Sequence, residues 1–132
     1  MDIKNICRQY SNRIFGVDYL KNNKISYKKL LDNIYHYLNI FINDLSPNDN
    51  VVIFIGNKIE YQIAFFSVLA FGGIPTPLNP DIPLDTLKEY LEIISPEIIL
   101  CTHENEQKLQ KKIKDCKILS ISIVQSCNSS DN

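Results

Sequence analysis

A chain of 132 residues is long enough to bury one hydrophobic core and too short for two domains of ordinary size. Apolar residues make up 45% and charged residues 22%, with seven Tyr, six Phe and no Trp, which excludes a disordered polypeptide and describes a globular one. The formal net charge is -1 with lysines interspersed among carboxylates, so no basic face is available to neutralise a run of phosphates, and nucleic acid is not an expected partner.

Residues 2–12 carry apolar side chains at Ile3, Ile6, Cys7 and Tyr10, the spacing of a short amphipathic helix. No apolar core or small-residue cleavage site follows the first residues, so a secretory signal is not expected and the chain is placed in the cytoplasm. Ile14 to Val17 and Lys24-Ile25 flank a polar stretch containing Asn22-Asn23, which tolerates left-handed backbone and predicts a small hairpin. Ser26 then stands before a helical pattern in which Leu30, Leu31, Ile34, Leu38, Phe41 and Ile42 recur on one face. The helix ends before Ser46-Pro47-Asn48-Asp49-Asn50, a turn cluster whose side chains bond their own backbone.

Val51 to Ile55 is a continuous apolar run, as expected of a central parallel strand covered on both faces. Asn57 with Glu60 three residues later resembles a capping pair at the start of a helix over residues 58–71. That helix is apolar nearly all round, so it requires cover beyond the sheet. Gly72-Gly73 closes it, and Ile74 to Leu78 returns as a strand whose prolines belong at a strand end or a sheet edge. The run from Tyr61 to Leu78 is broken by Gln62, Gly72, Gly73, Pro75 and Pro77, which excludes a membrane span.

After the stiff Asn79 to Pro83 loop, Leu84, Leu87, Tyr90, Leu91 and Ile94 mark another helix, stopped by Ser95-Pro96. Ile98 to Cys101 is the next parallel strand. Thr102 caps a polar helix with Glu104 and Glu106 early, Leu109 and Ile113 inward and lysines late, and Lys117 to Val124 supplies a last strand. The alternation βαβαβαβ fixes an α/β class with a parallel sheet and flanking helices. From Gln125 the chain is rich in Ser and Asn and reads as a frayed tail.

Candidate chemistry is sparse. A phosphate cradle needs glycines at the start of a helix, whereas Gly72-Gly73 lies at a helix end and neither G-x-G-x-x-G nor the P-loop pattern occurs. Ile55-Gly56-Asn57 ends the first strand without the carboxylates that a magnesium site there would use. Cys7, Cys101, Cys116 and Cys127 have no CxxC pair and no metal spacing with His36 or His103, so they read as free thiols. Ser67 sits mid-helix among apolar neighbours as a small core residue, and His36 falls on the polar side of its helix. Lys108, Lys111, Lys112 and Lys114 complement a helix C-terminus. His103 follows a parallel strand at the carboxyl edge, where open α/β sheets place ligands, but has no assignable partner. No catalytic, cofactor-binding or metal-ligating residue is assigned.

Taken together, Ile25-Ser26-Tyr27-Lys28-Lys29-Leu30, the stretch Ser46 to Ile53, Asn57, and Leu69 to Pro80 (LAFGGIPTPLNP) form an ordered series that resembles the start of the adenylate-forming enzyme superfamily. That superfamily contains acyl-CoA synthetases, adenylation domains of nonribosomal peptide synthetases, and luciferases. The resemblance runs from about Ile3 to Val124 and implies a partial N-terminal AMP-dependent synthetase/ligase domain over residues 1–124, with 125–132 as a disordered tail. It implies a complete enzyme that uses ATP and Mg to convert a carboxylate to an acyl-adenylate and then usually passes the acyl group to a thiol. The phosphate loop, acyl pocket, ribose-binding aspartate and catalytic lysine of the family lie further along, and no position here matches them. This stretch is therefore expected to bind no cofactor and to be inactive alone, its partner being the remainder of the ligase. The alternative is a stand-alone binding or scaffold module that pairs with another chain through its sheet edge and over-apolar helix.

Within the matched region, Lys29 stands where the family has a glutamate, which removes a reciprocal cap and costs the helix start about 0.3 to 1 kcal/mol. Asn48 replaces a turn glycine, a substitution that asparagine tolerates. Asn79-Pro80 in place of Asp-Pro leans toward acyl-CoA synthetases over amino-acid activators.

Overall fold

The structure is a computed structural model that describes residues 14–18 and 23–124. The predicted helix over residues 2–12 and the tail at 125–132 lie outside the described residues. Strands β1 (Ile14–Asp18) and β2 (Asn23–Ser26) pair antiparallel, with Val17 opposite Lys24 and Asp18 opposite Asn23, as the hairpin reading expected. Helix α1 (Tyr27–Asp44) follows at once. The Ser26 hydroxyl accepts the Lys29 N–H at 3.1 Å, so the cap forms without the family's glutamate.

At the end of α1 the turn cluster behaves as its side chains dictate. Asp49 Oδ2 accepts the Ser46 N–H at 2.8 Å, and Asn48 takes the left-handed conformation with φ of 70°. Strand β3 (Asn50–Phe54) leads into α2 (Ile59–Phe71), closed by Gly72 at φ 97°, and then into β4 (Ile74–Pro77). Gly72 accepts the Asn48 N–H and Ile74 donates to Asp49, each at 2.8 Å, so the two turns lock together. A Cβ on Gly73 would stand 3.3 Å from the Asp49 carbonyl, the approach that glycine permits.

Helix α3 (Leu84–Ile94), strand β5 (Ile98–Cys101), helix α4 (His103–Lys112) and strand β6 (Lys117–Ser120) complete the unit. The sheet is parallel with order β4-β3-β5-β6, so β3 is central, as its unbroken apolar run required. Alternate residues serve opposite layers. Val51, Ile53, Ile55, Ile98 and Leu100 pack under α1 and α2, while Val52, Phe54, Ile99 and Cys101 pack under α3 and α4. β4 lies at the edge, and because Ile74 and Leu78 donate inward to Asp49 and Ile53, the alternating Pro75 and Pro77 face outward.

Several expectations shift. Ile42, assigned to the inner face of α1, is 66% exposed, and buried Asn33 and Tyr37 occupy that face instead. The cap of α2 is Lys58, whose side chain makes no capping bond, and Asn57 is exposed. β6 ends at Ser120, Ile121 still donates its N–H to the Cys101 carbonyl, and residues 122–124 leave the ladder. Thr102 occupies the cap position of α4 by backbone conformation alone.

Candidate functional site

The chain passes from β3 outward to β4 and then crosses back to β5, so the strand order reverses between β3 and β5. The crevice at the carboxyl ends of such strands is where open α/β sheets accept ligands. Here it is bounded by Gly56, Asn57 and Lys58 after β3 and by Thr102, His103 and Glu104 after β5. Lys58 Nζ donates to Glu104 Oε2 at 3.3 Å, so an ion pair spans from the start of α2 to the start of α4. His103 is largely exposed and its Nδ1 lies 3.7 Å from Glu106 on its own helix, which makes it a helix-start residue.

A cleft of about 650 Å³ opens between the ends of β3 and β4, lined in part by Gly56, Lys58, Tyr61, Pro77, Asn79 and Pro80. Gly56 holds φ of 87°, and a Cβ there would meet Pro80 Cγ at 3.1 Å, so the proline ring fills the space that a side chain would take. Asn79 Oδ1 accepts the Asp81 N–H at 2.9 Å and fixes the loop that carries this ring.

The helix starts around this edge are negatively charged. Glu60 lies in the first turn of α2, Asp85 in that of α3, and Glu104 with Glu106 in that of α4. Carboxylates complement the positive end of a helix dipole and repel a second anion at the same place.

The other residues singled out in the sequence do not converge. Ser67 is fully buried with no partner for its hydroxyl, and exposed His36 sets its ring edge-on to Tyr37 at 4.8 Å. Cys101 lies in the core, where burial foremost and then the Glu106 charge push its thiol up to about 12. Cys116 is half-buried, raised by burial and then by Asp115 and Glu97, and both thiols are free. The four lysines at the end of α4 are exposed, with Lys111 and Lys112 in its last turn and Lys114 donating to the Gln110 carbonyl at 2.9 Å. Among the described residues no group of His, Cys, Asp or Glu is placed to hold a metal ion, and no helix is long and apolar enough to cross a membrane.

The sequence that builds these paired turns at 46–50 and 72–80 matches the AMP-binding enzyme family over residues 3–131. The chain belongs to that family. It corresponds to the N-terminal part of the adenylate-forming enzymes. MatB from Rhodopseudomonas palustris is similar with a TM-score of 0.66 and 19% identity, over 76% of this chain and 21% of MatB. NpsA of Klebsiella oxytoca, in complex with 3-hydroxyanthranilyl-AMSN, gives 0.73 and 19% over 89% of this chain and 23% of its own. The nonribosomal peptide synthetase FmoA3, in an AMPPNP-bound form, gives 0.80 and 19% over 89% of this chain and 12% of its own. The chain thus spans a minor share of each of these proteins.

Proposed function

We propose that this chain supplies the front part of an enzyme that activates a carboxylic acid with ATP as an acyl-adenylate and hands the acyl group to a thiol. In this reading residues 1–124 form the partial domain. The family match across residues 3–131 carries the assignment.

ATP and Mg serve the complete enzyme, but the described residues do not fit a triphosphate. Gly56 is closed off by Pro80, the Gly72-Gly73 pair sits at the negative end of α2, and three helix starts at the carboxyl edge bear carboxylates. The contribution of this chain is therefore architectural: a rigid sheet with one thick apolar layer against which the remainder of the ligase assembles. The substrate is selected elsewhere.

Purified chain is expected to give no ATP–pyrophosphate exchange with fatty, aromatic or amino acids, and exchange is expected to return when the remainder of a ligase is supplied in trans. Robust exchange by the chain alone would overturn the assignment of the chemistry to other segments. A stand-alone pairing module is the second reading, favoured by apolar residues left on the surface beside β4, Leu69 at 44% and Ile74 at 46% exposure. Obligate pairing with an unrelated chain, with no gain of exchange from the remainder of the ligase, would support it over the first.

A further inference from the structure

Two buried polar side chains on α1 do work that the family assignment does not require. Asn33 is fully buried and Tyr37 nearly so, and they stand one helical turn apart. Asn33 Oδ1 accepts the Val124 N–H at 2.6 Å, and its Nδ2 donates to the Val124 carbonyl at 3.2 Å and to the Lys29 carbonyl at 2.8 Å. The Tyr37 hydroxyl accepts the Ser122 N–H and donates to the Ser122 carbonyl, both at 2.9 Å. Each side chain thus satisfies both main-chain groups of one residue.

The spacing explains why this works. Four residues of helix rise about 6 Å, close to the 6.6 Å or so of two residues in extended chain, so positions 33 and 37 meet alternate residues 122 and 124 in register. Neither contact reads a side chain. Ser122 is exposed, whereas Ile121, 1% exposed, lies in the core and donates its N–H to the Cys101 carbonyl at 2.8 Å, and Ile123 and Val124 are partly buried against the same core.

We infer that Asn33 and Tyr37 form a clamp for extended main chain, which holds residues 122–124 as a releasable strap on α1 and sets the direction in which the polypeptide leaves the sheet. Because the bonds go to backbone alone, the clamp tolerates any side chain at exposed position 122 that allows extended conformation, whereas Val124 also packs on the core. Because the strap lies outside the strand ladder, it opens without unfolding the core. This inference is independent of the proposed acid-activating role.

Amide hydrogen exchange on the full chain tests it. The Ser122 and Val124 amides are expected to be protected in the unaltered chain although they belong to no strand. Tyr37→Phe keeps the ring and should speed exchange at Ser122 about five- to thirtyfold, the order of one to two net hydrogen bonds, while the Val52 and Ile99 amides stay protected. Ser122→Ala should leave the Val124 amide unchanged. Ser122→Pro removes the donor from the strap side and sets the proline ring against the Tyr37 hydroxyl, and should speed exchange at Val124 even where Tyr37→Phe perturbs folding. Unchanged protection at Ser122 in Tyr37→Phe, or uniform loss across strap and sheet in both Tyr37→Phe and Ser122→Pro, would overturn the clamp.

Discussion

On one side of the sheet, α1 buries Leu30, Leu31, Ile34, Tyr37 and Phe41, and α2 buries Ile59, Ile63, Ala64, Ser67 and Val68. On the other side α3 buries Leu87 alone and α4 buries Leu109 alone, and the remaining turns are charged or half-exposed. The first pair of helices pack on each other as well as on the strands, with Phe41 and Phe71 meeting edge to face at 6.1 Å. The second pair each lie singly on the sheet. A stripe a few residues wide therefore suffices for α3 and α4, whereas α2 needs apolar residues around most of its circumference. The difference teaches that stability is concentrated in one layer, and that the other is free to carry charge.

The largest test of this asymmetry is truncation within the thick layer. Phe41→Ala should lower the free energy of unfolding by about 3–5 kcal/mol, whereas Tyr90→Ala on the exposed flank of α3 should change it by less than about 0.5 kcal/mol. Chemical unfolding followed by far-ultraviolet circular dichroism measures both, and equal losses would erase the contrast.

Next comes the thiol beneath the thin layer. Cys101 holds its proton more tightly folded than unfolded, with about 12 against the ordinary 9.0, so the stability it confers is complete below pH 9 and drains away as pH rises toward 12. Cys101→Ala should remove that alkaline decline, and a decline that persists unaltered would place its origin elsewhere.

A smaller effect of opposite sign is expected from Ser67→Ala. The substitution deletes a buried hydroxyl that has no partner and installs the best helix former, so stability should rise by about 1 kcal/mol. A loss would show that the hydroxyl finds a partner in solution. The smallest effect belongs to the bridge between the layers. A double-mutant cycle on Lys58 and Glu104, both partly exposed, should give a coupling of about 0.5 kcal/mol that fades as salt is raised.

The strands and helices were legible because their causes are local: the two-sided run at 51–55, the Ser26 cap, the turn chemistry at 46–50, and prolines placed at an edge. The family resemblance rested on those same turns. Asn33 and Tyr37 were not legible, since periodicity assigns a mid-helix asparagine to the outside, and their partners lie about ninety residues away in sequence. A signal existed, for Asn33 is a poor helix former set between Leu30 and Ile34 on the apolar stripe. Ile42 misled because it stands on the flank of a stripe whose buried centre runs through Ile34, Tyr37 and Phe41 to Leu45. Asn57 misled because α2 begins one residue later than the capping pattern required. The candidate site was hardest, since charge at the helix starts becomes visible only once topology brings those starts to one edge.

The outward prolines of β4 give the sheet a polarity of growth. A strand laid against that edge would find no N–H at Pro75 or Pro77 and could form only half of a ladder, which guards the edge against runaway association. At the opposite edge Lys117 and Ile121 donate inward, so Ile118 and Ser120 turn a complete set of donors and acceptors outward. Among the described residues, lateral extension is thus directed to the β6 side, the side on which residues 122–124 leave the ladder.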